Sequence, residues 1–375
     1  MSVLLALPEE VAGKILGDWL CVKQIAALNT AMCSRTLRQI FKSLMGKFTM
    51  VHCTLKTLSL KKDTLAWIEM NRIMYPEIEI YSEGFATKKE LLKKILIGHN
   101  PKSLRRLKFR GDLDRTSNSA HAYAAISNCA NLEAVLIEQV AFSGNALHMM
   151  AAANPRLLKL HILQCQFVSR KSCAAIAQHC QLLQNLDLRM SDIDDTGITL
   201  IVQSCSKLIG LELFGCQCIT DKGITAIALN GSKLVHLSIS GTSATEVSVT
   251  SIARGCPRLK GLNIERVPLF DAKHAAEVGK GCHFLESLSF VGCGTVTDDA
   301  LIALATHCLQ LLHLFLNECS EITDVGLCAI AGSCPNLRYI SLTRPIGRRY
   351  PQAVNAFRKS VRVHLEEGDE LVPPD

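Results

Sequence analysis

One spacing governs this chain. Cys129, Asn154, Cys180, Cys205, Gly231, Cys256, Cys282, Cys308 and Cys334 follow one another at steps of 25 or 26 residues. Each opens the same frame, seen in CSKLIGLELFGCQCITDKGITAIA from Cys205: a small residue, an L-x-L pair, a second small residue, then Thr-Asp ahead of an apolar helical pattern. A preceding unit with Leu104, Leu107 and Phe109 in the apolar positions makes ten repeats over residues 100–343. A unit of this length cannot bury its own apolar face, so the repeats must stack.

The frame also specifies local structure. Leu211-Glu212-Leu213 alternates with period two, which places both leucines on one side of a short strand. Ile224, Ile227 and Ala228 follow helical spacing, with Thr220 as N-cap and Asp221 at the positive end of the helix. Stacking then sets strand beside strand and helix beside helix.

This pattern resembles the leucine-rich repeat family, in its cysteine-containing, ribonuclease-inhibitor-like form. The resemblance implies an α/β leucine-rich repeat solenoid, a horseshoe with a parallel concave sheet and convex helices. It also implies that the second small column, Cys165, Ser191, Cys216, Thr242, Val267, Cys293 and Cys319, forms a ladder of side chains inside the solenoid.

Seventeen cysteines and twelve histidines invite a metal reading. The repeat argues against it. Equivalent positions in neighbouring repeats stand about 4.8 Å apart, whereas zinc gathers its sulfurs tetrahedrally at about 2.3 Å. Asn154 and Gly231 replace the frame cysteine at equivalent sites, which marks a small packing residue. The carboxylates Asp194, Asp195, Asp221, Asp298, Asp299 and Asp324 recur at helix starts in different repeats, so capping accounts for them without acid–base catalysis. There is no Walker loop, nucleophile elbow or dinucleotide fingerprint. The expectation is a non-enzyme without cofactor or metal.

The net charge of +7 is uneven, with basic runs at residues 88–110 and 344–362. These read as solvated faces rather than a nucleic-acid site, because no aromatic-interleaved or zinc-finger motif accompanies them. The start of the chain is a poor signal peptide and no apolar run of about 18 residues occurs, so no membrane contact and a cytoplasmic or nuclear location are expected, with reduced thiols.

Residues 1–48 break the period and carry helical patterns. LPEEVAGKILGDWL and the following apolar positions resemble an F-box, the helical module that docks substrate receptors onto the Skp adaptor of cullin–RING ubiquitin ligases. The resemblance implies adaptor-facing or core roles for Leu7, Pro8, Ile15, Leu16, Leu20, Ile25 and Leu28. The same segment also reads as a helical cap on the first repeat. Residues 49–99 read as a linker and capping segment with a strand at Ile78 and Ile80, and residues 344–375 as a terminal helix and an acidic tail.

In such a solenoid the residues flanking and splitting each L-x-L face solvent on the concave wall, where a partner is expected to bind. They include Arg106, Lys108 and Arg110 at one end, Arg189, Glu212 and Phe214 in the middle, and His313, Phe315, Asn317 and Tyr339 at the far end. Aromatic side chains and arginine are common interface anchors. The expected function is target recognition, as the substrate receptor of a Skp–cullin–F-box ubiquitin ligase. The alternative is a repeat scaffold with no ligase link. The expected partners are accordingly the Skp adaptor and a target protein.

Overall fold

The computed structural model describes residues 54–56, 77–81, 104–110, 129–139, 144–165, 168–267, 270–344, 351–357 and 361–367. The F-box-like segment, with Leu7, Pro8, Ile15, Leu16, Leu20, Ile25 and Leu28, lies outside them. Two compact units divide the chain, Met1–Leu183 and Gln184–Asp375.

In the first unit five strands pair in chain order, all parallel: β1 (Thr54–Lys56), β2 (Glu77–Tyr81), β3 (Arg106–Arg110), β4 (Ala134–Glu138) and β5 (Lys159–Leu163). Helices α1 (Gly144–Ala153) and α2 (Arg170–His179) are described beside them. In the second unit eight strands pair in the same way: β6 (Asn185–Asp187), β7 (Gly210–Glu212), β8 (His236–Ser238), β9 (Gly261–Asn263), β10 (Ser287–Ser289), β11 (His313–Leu316), β12 (Tyr339–Arg344) and β13 (Arg362–Glu367). Between them run α3 (Asp195–Ser204), α4 (Asp221–Asn230), α5 (Glu246–Gly255), α6 (Ala272–Gly281), α7 (Asp298–Ala305), α8 (Asp324–Ser333) and α9 (Pro351–Ala356).

Strands β3 to β12 match the ten frames one for one, and β2 holds the expected Ile78. Val363 and Leu365 alternate with Arg362 and His364, a strand pattern, and β13 pairs with β12 over six residues.

The leucines of each L-x-L face helices and are buried throughout, from Leu186 and Leu188 to Ile340 and Leu342. Full burial of such a side chain stabilises by roughly 1.5–3 kcal/mol, so the repeated pair is the main favourable term. After each strand from β4 to β11 the chain turns through one residue in the left-handed region: Gln139, Gln164, Met190, Gly215, Gly241, Arg266, Gly292 and Glu318. Glycine occupies only three of these eight positions, so composition hides a turn that the 25- and 26-residue steps preserve.

The two small columns do separate work. Cys180, Cys205, Cys256, Cys282 and Cys334 are C-caps whose backbone N–H groups bond the last turn of the preceding helix. Asn154 adds more than packing: its Oδ1 accepts from Leu132 N–H at 2.9 Å and its Nδ2 donates to the Met150 carbonyl at 2.9 Å. In the second column each thiol donates to a strand-end carbonyl of the preceding repeat, Cys216 to Leu188 at 3.0 Å, Cys293 to Ile264 at 3.3 Å and Cys319 to Phe290 at 3.3 Å. Burial pushes the thiols up to about 12 at Cys129, Cys256, Cys282, Cys308 and Cys319, and to about 11 at Cys205, Cys293 and Cys334. Thiolates, the species that bind metal or attack disulfides, are therefore scarce here at neutral pH.

The helix-start aspartates differ from the simple capping expectation. Asp194 does cap its own helix, accepting from Gly197 N–H at 2.7 Å. Asp195, Asp221 and Asp298 instead reach into the next repeat. Each accepts from both the N–H and the hydroxyl of the next N-cap threonine, Thr220, Thr245 and Thr323 respectively, with N–H distances of 2.8 Å. Asp324 likewise accepts from Ala353 N–H at 2.7 Å. The carboxylates clamp one repeat to its neighbour.

Asp221→Ala should therefore cost about 1–3 kcal/mol, the penalty for orphaning donors of this kind, read as a lower urea midpoint. Burial opposes ionisation of Asp221, but bonds from Ser248 and Thr245 outweigh it and hold its carboxyl below the usual 3.8. A depressed folded value contributes stability above the unfolded value that is lost as pH falls through the folded one. The gap between wild type and variant should thus be full at pH 6 and shrink below about pH 3.8. A gap that stays constant down to pH 2.5 would refute the clamp.

Candidate functional site

The sheet face away from the helices carries the residues between and beside the leucines. Register places them in three columns in the second unit. The first runs Asn185, Gly210, His236, Gly261, Ser287, His313 and Tyr339, and the second Asp187, Glu212, Ser238, Asn263, Ser289, Phe315 and Ser341. Two residues beyond each second-column residue stand Arg189, Phe214, Ser240, Glu265, Val291, Asn317 and Thr343.

Small residues interrupt the larger ones along these columns and create relief. A Cβ on Gly210 would meet Asn185 Oδ1 at 2.6 Å, and one on Gly261 would meet His236 Nδ1 at 2.6 Å. Each larger side chain leans over the glycine beside it. Between β7 and β11 the face sinks into a recess of about 450 Å³. Ser238, Gly261, Asn263, Ser287 and Ser289 form its small polar floor; Glu212, Glu265, His236 and Phe315 stand around it.

Its electrostatics are acidic. Arg189 is held by Asp187 through bonds of 3.0, 3.0 and 2.8 Å, and Asp187 is buried. Burial, then the nearby Asp187 charge, raise the Glu212 carboxyl above its ordinary value against the opposing pull of Arg189 and a bond from Ser238. Glu265 accepts from the Ser289 hydroxyl at 3.1 Å. Among the described residues neither Glu212 nor Glu265 forms an ion pair.

The expected contact residues fare unequally. Glu212 and Phe315 line the recess. Phe214 is 38% exposed beside it. Phe315 and Tyr339 do not stand free but are half-buried against each other, ring centroids 5.4 Å apart. His313 is half-buried on β11, and Asn317 is buried at 8% exposure, because neighbouring strands crowd a residue at the end of β11.

In the first unit Arg106, Lys108 and Arg110 do share one face, yet acids answer them. Glu77 lies 3.2 Å from Arg106 and 2.7 Å from Lys108, while Arg110 is 3.2 Å from Glu79 and 3.4 Å from Glu138. These three cations form a neutralised ladder. The residues missed in the sequence are the recess floor and His236 and Glu265. Their signal was the small residues Ser238, Gly261, Ser287 and Ser289 in successive strands, less conspicuous than the aromatics.

Among the described residues no three His, Cys, Asp or Glu side chains gather as metal ligands, and no helix is long and apolar enough to cross a membrane.

Comparison with known proteins agrees with this geometry. The family described as Leucine Rich repeat matches residues 179–202, 204–228 and 281–305. A chain in the crystal structure of the Rad7 and Elc1 complex in yeast is 19% identical, with a TM-score of 0.58 over 91% of this chain and 81% of that one. An internalin (inlF) from Listeria monocytogenes is 16% identical, with a TM-score of 0.58 over 93% of this chain and 95% of that one. With parallel strands and helices alternating at one period, and with three of its repeats matched directly, the chain carries leucine-rich repeats and has the fold of a leucine-rich repeat solenoid.

Proposed function

We propose that this protein is a non-catalytic recognition subunit that holds a target protein on its repeat sheet face. The recess between β7 and β11 carries this reading: a floor of serine, glycine and asparagine lets a partner's backbone approach closely, while Glu212 and Phe315 supply charge and apolar contact. Filling the floor should block it. Ser287 is half-buried and polar, so Ser287→Trp should fold normally yet reduce target capture about tenfold or more, as loss of a central interface contact does. Undiminished capture by a folded Ser287→Trp protein would sink the reading.

The finer proposal is that the target is presented for ubiquitin transfer. Support comes from the F-box-like residues Leu7, Pro8, Ile15, Leu16, Leu20, Ile25 and Leu28, and from likeness to a chain of a two-protein yeast complex. Co-purification with the Skp adaptor, with and without residues 1–48, decides this. If the intact protein never retains the adaptor, the protein is a repeat scaffold without the ligase link.

A further inference from the structure

From the charge and shape of the recess, we infer that its occupant is a basic, extended segment of the target protein, with a lysine or arginine seated between Glu212 and Glu265. The inference rests on the recognition reading above and adds the chemistry of what is recognised.

Three observations carry it. First, Glu212 and Glu265 both line the same recess and, among the described residues, form no ion pair. The arginine closest in sequence register, Arg189, is engaged by Asp187 through three short bonds. Arg189 acts on Glu212 only from beyond ion-pair distance, which leaves room for a cation from outside. Second, the size suits a peptide. From β7 to β11 is four strand steps, about 19 Å at 4.8 Å each, the length of about six extended residues. The hydroxyls and amide of Ser238, Ser287, Ser289 and Asn263 along the floor can bond a strand's backbone groups. Third, Phe315 borders the recess and packs on Tyr339, giving an aromatic surface on which the stem or guanidinium of a basic side chain can lie.

The same charges argue against other occupants. Two carboxylates repel the phosphates of nucleic acid and the side chains of an acidic segment.

The test is an array of hexapeptides with basic, acidic, apolar and neutral polar residues scanned through each position, probed with the full-length protein. Wild type should retain peptides containing lysine or arginine. The double variant Glu212→Gln, Glu265→Gln should lose about tenfold or more of that retention, and Ser287→Trp should lose it as well. Because Glu212 is raised, its stabilising effect is present below its unfolded value and lost as pH rises through the folded one, so Glu212→Gln should melt no lower than wild type at pH 7. A binding loss without a stability loss separates a recognition role from a structural one. Selection of acidic or apolar peptides that Ser287→Trp blocks would overturn the basic-segment proposal and leave the recognition reading intact. Retention of no peptide, or retention that Ser287→Trp leaves unchanged, would overturn both.

Discussion

Replacing Gly281 with alanine should destabilise the protein by about 1–3 kcal/mol, the range for forced overpacking, although alanine is ordinarily the better helix residue. Gly281 ends α6, and a Cβ there would collide with the carbonyl oxygen of Ala253 on α5. Backbone oxygen cannot rotate away as a side chain can, so the two helices must separate. Gly332 on α8 supplies the contrast: a Cβ there meets nothing within 4 Å. Gly332→Ala should be neutral or stabilising by up to about 1 kcal/mol, the usual gain over glycine in a helix. Opposite signs in thermal melts of the two variants would show that helix contact, rather than propensity, sets the repeat spacing. Matching signs would contradict it.

A larger loss is expected from Phe290→Ala, about 3–5 kcal/mol as for other buried phenylalanines. Phe290 is fully buried behind β10, and its ring centroid lies 4.6 Å from that of the equally buried Phe270. The nearby repeats hold Leu213, Ile239, Ile264 and Leu316 at the Phe290 position, and Ile219, Ala244, Val296 and Ile322 at the Phe270 position. The ring pair is thus a local substitution of volume shared by two successive repeats, and neighbours built around smaller side chains cannot collapse into the gap. Urea unfolding followed by circular dichroism reads the loss; a change under 1 kcal/mol would mean that this layer repacks.

The strands were legible because L-x-L alternation and the 25- or 26-residue step repeat the same physical demand ten times. The frame cysteines as small packing residues were legible for the same reason. What escaped was whatever depends on two repeats at once. Asp221 sits at a helix start in the sequence, but its partners Thr245 and Ser248 belong to the next repeat. Arg106, Lys108 and Arg110 read as a basic patch because Glu77, Glu79 and Glu138, which neutralise them, lie about one repeat away on either side. Phe315 and Tyr339 read as exposed anchors because only the sheet register brings their rings together. The recess was hardest to see, since its defining residues are the small ones.

Site-specific photo-crosslinking tests the central claim most directly. A photoreactive side chain in place of Ser287 lies in the recess, and one in place of Leu229, 81% exposed on α4, lies on the helix side of the same unit. Target protein should crosslink to position 287 and not to position 229. Crosslinks at 229 with none at 287 would place recognition on the helices and contradict the account.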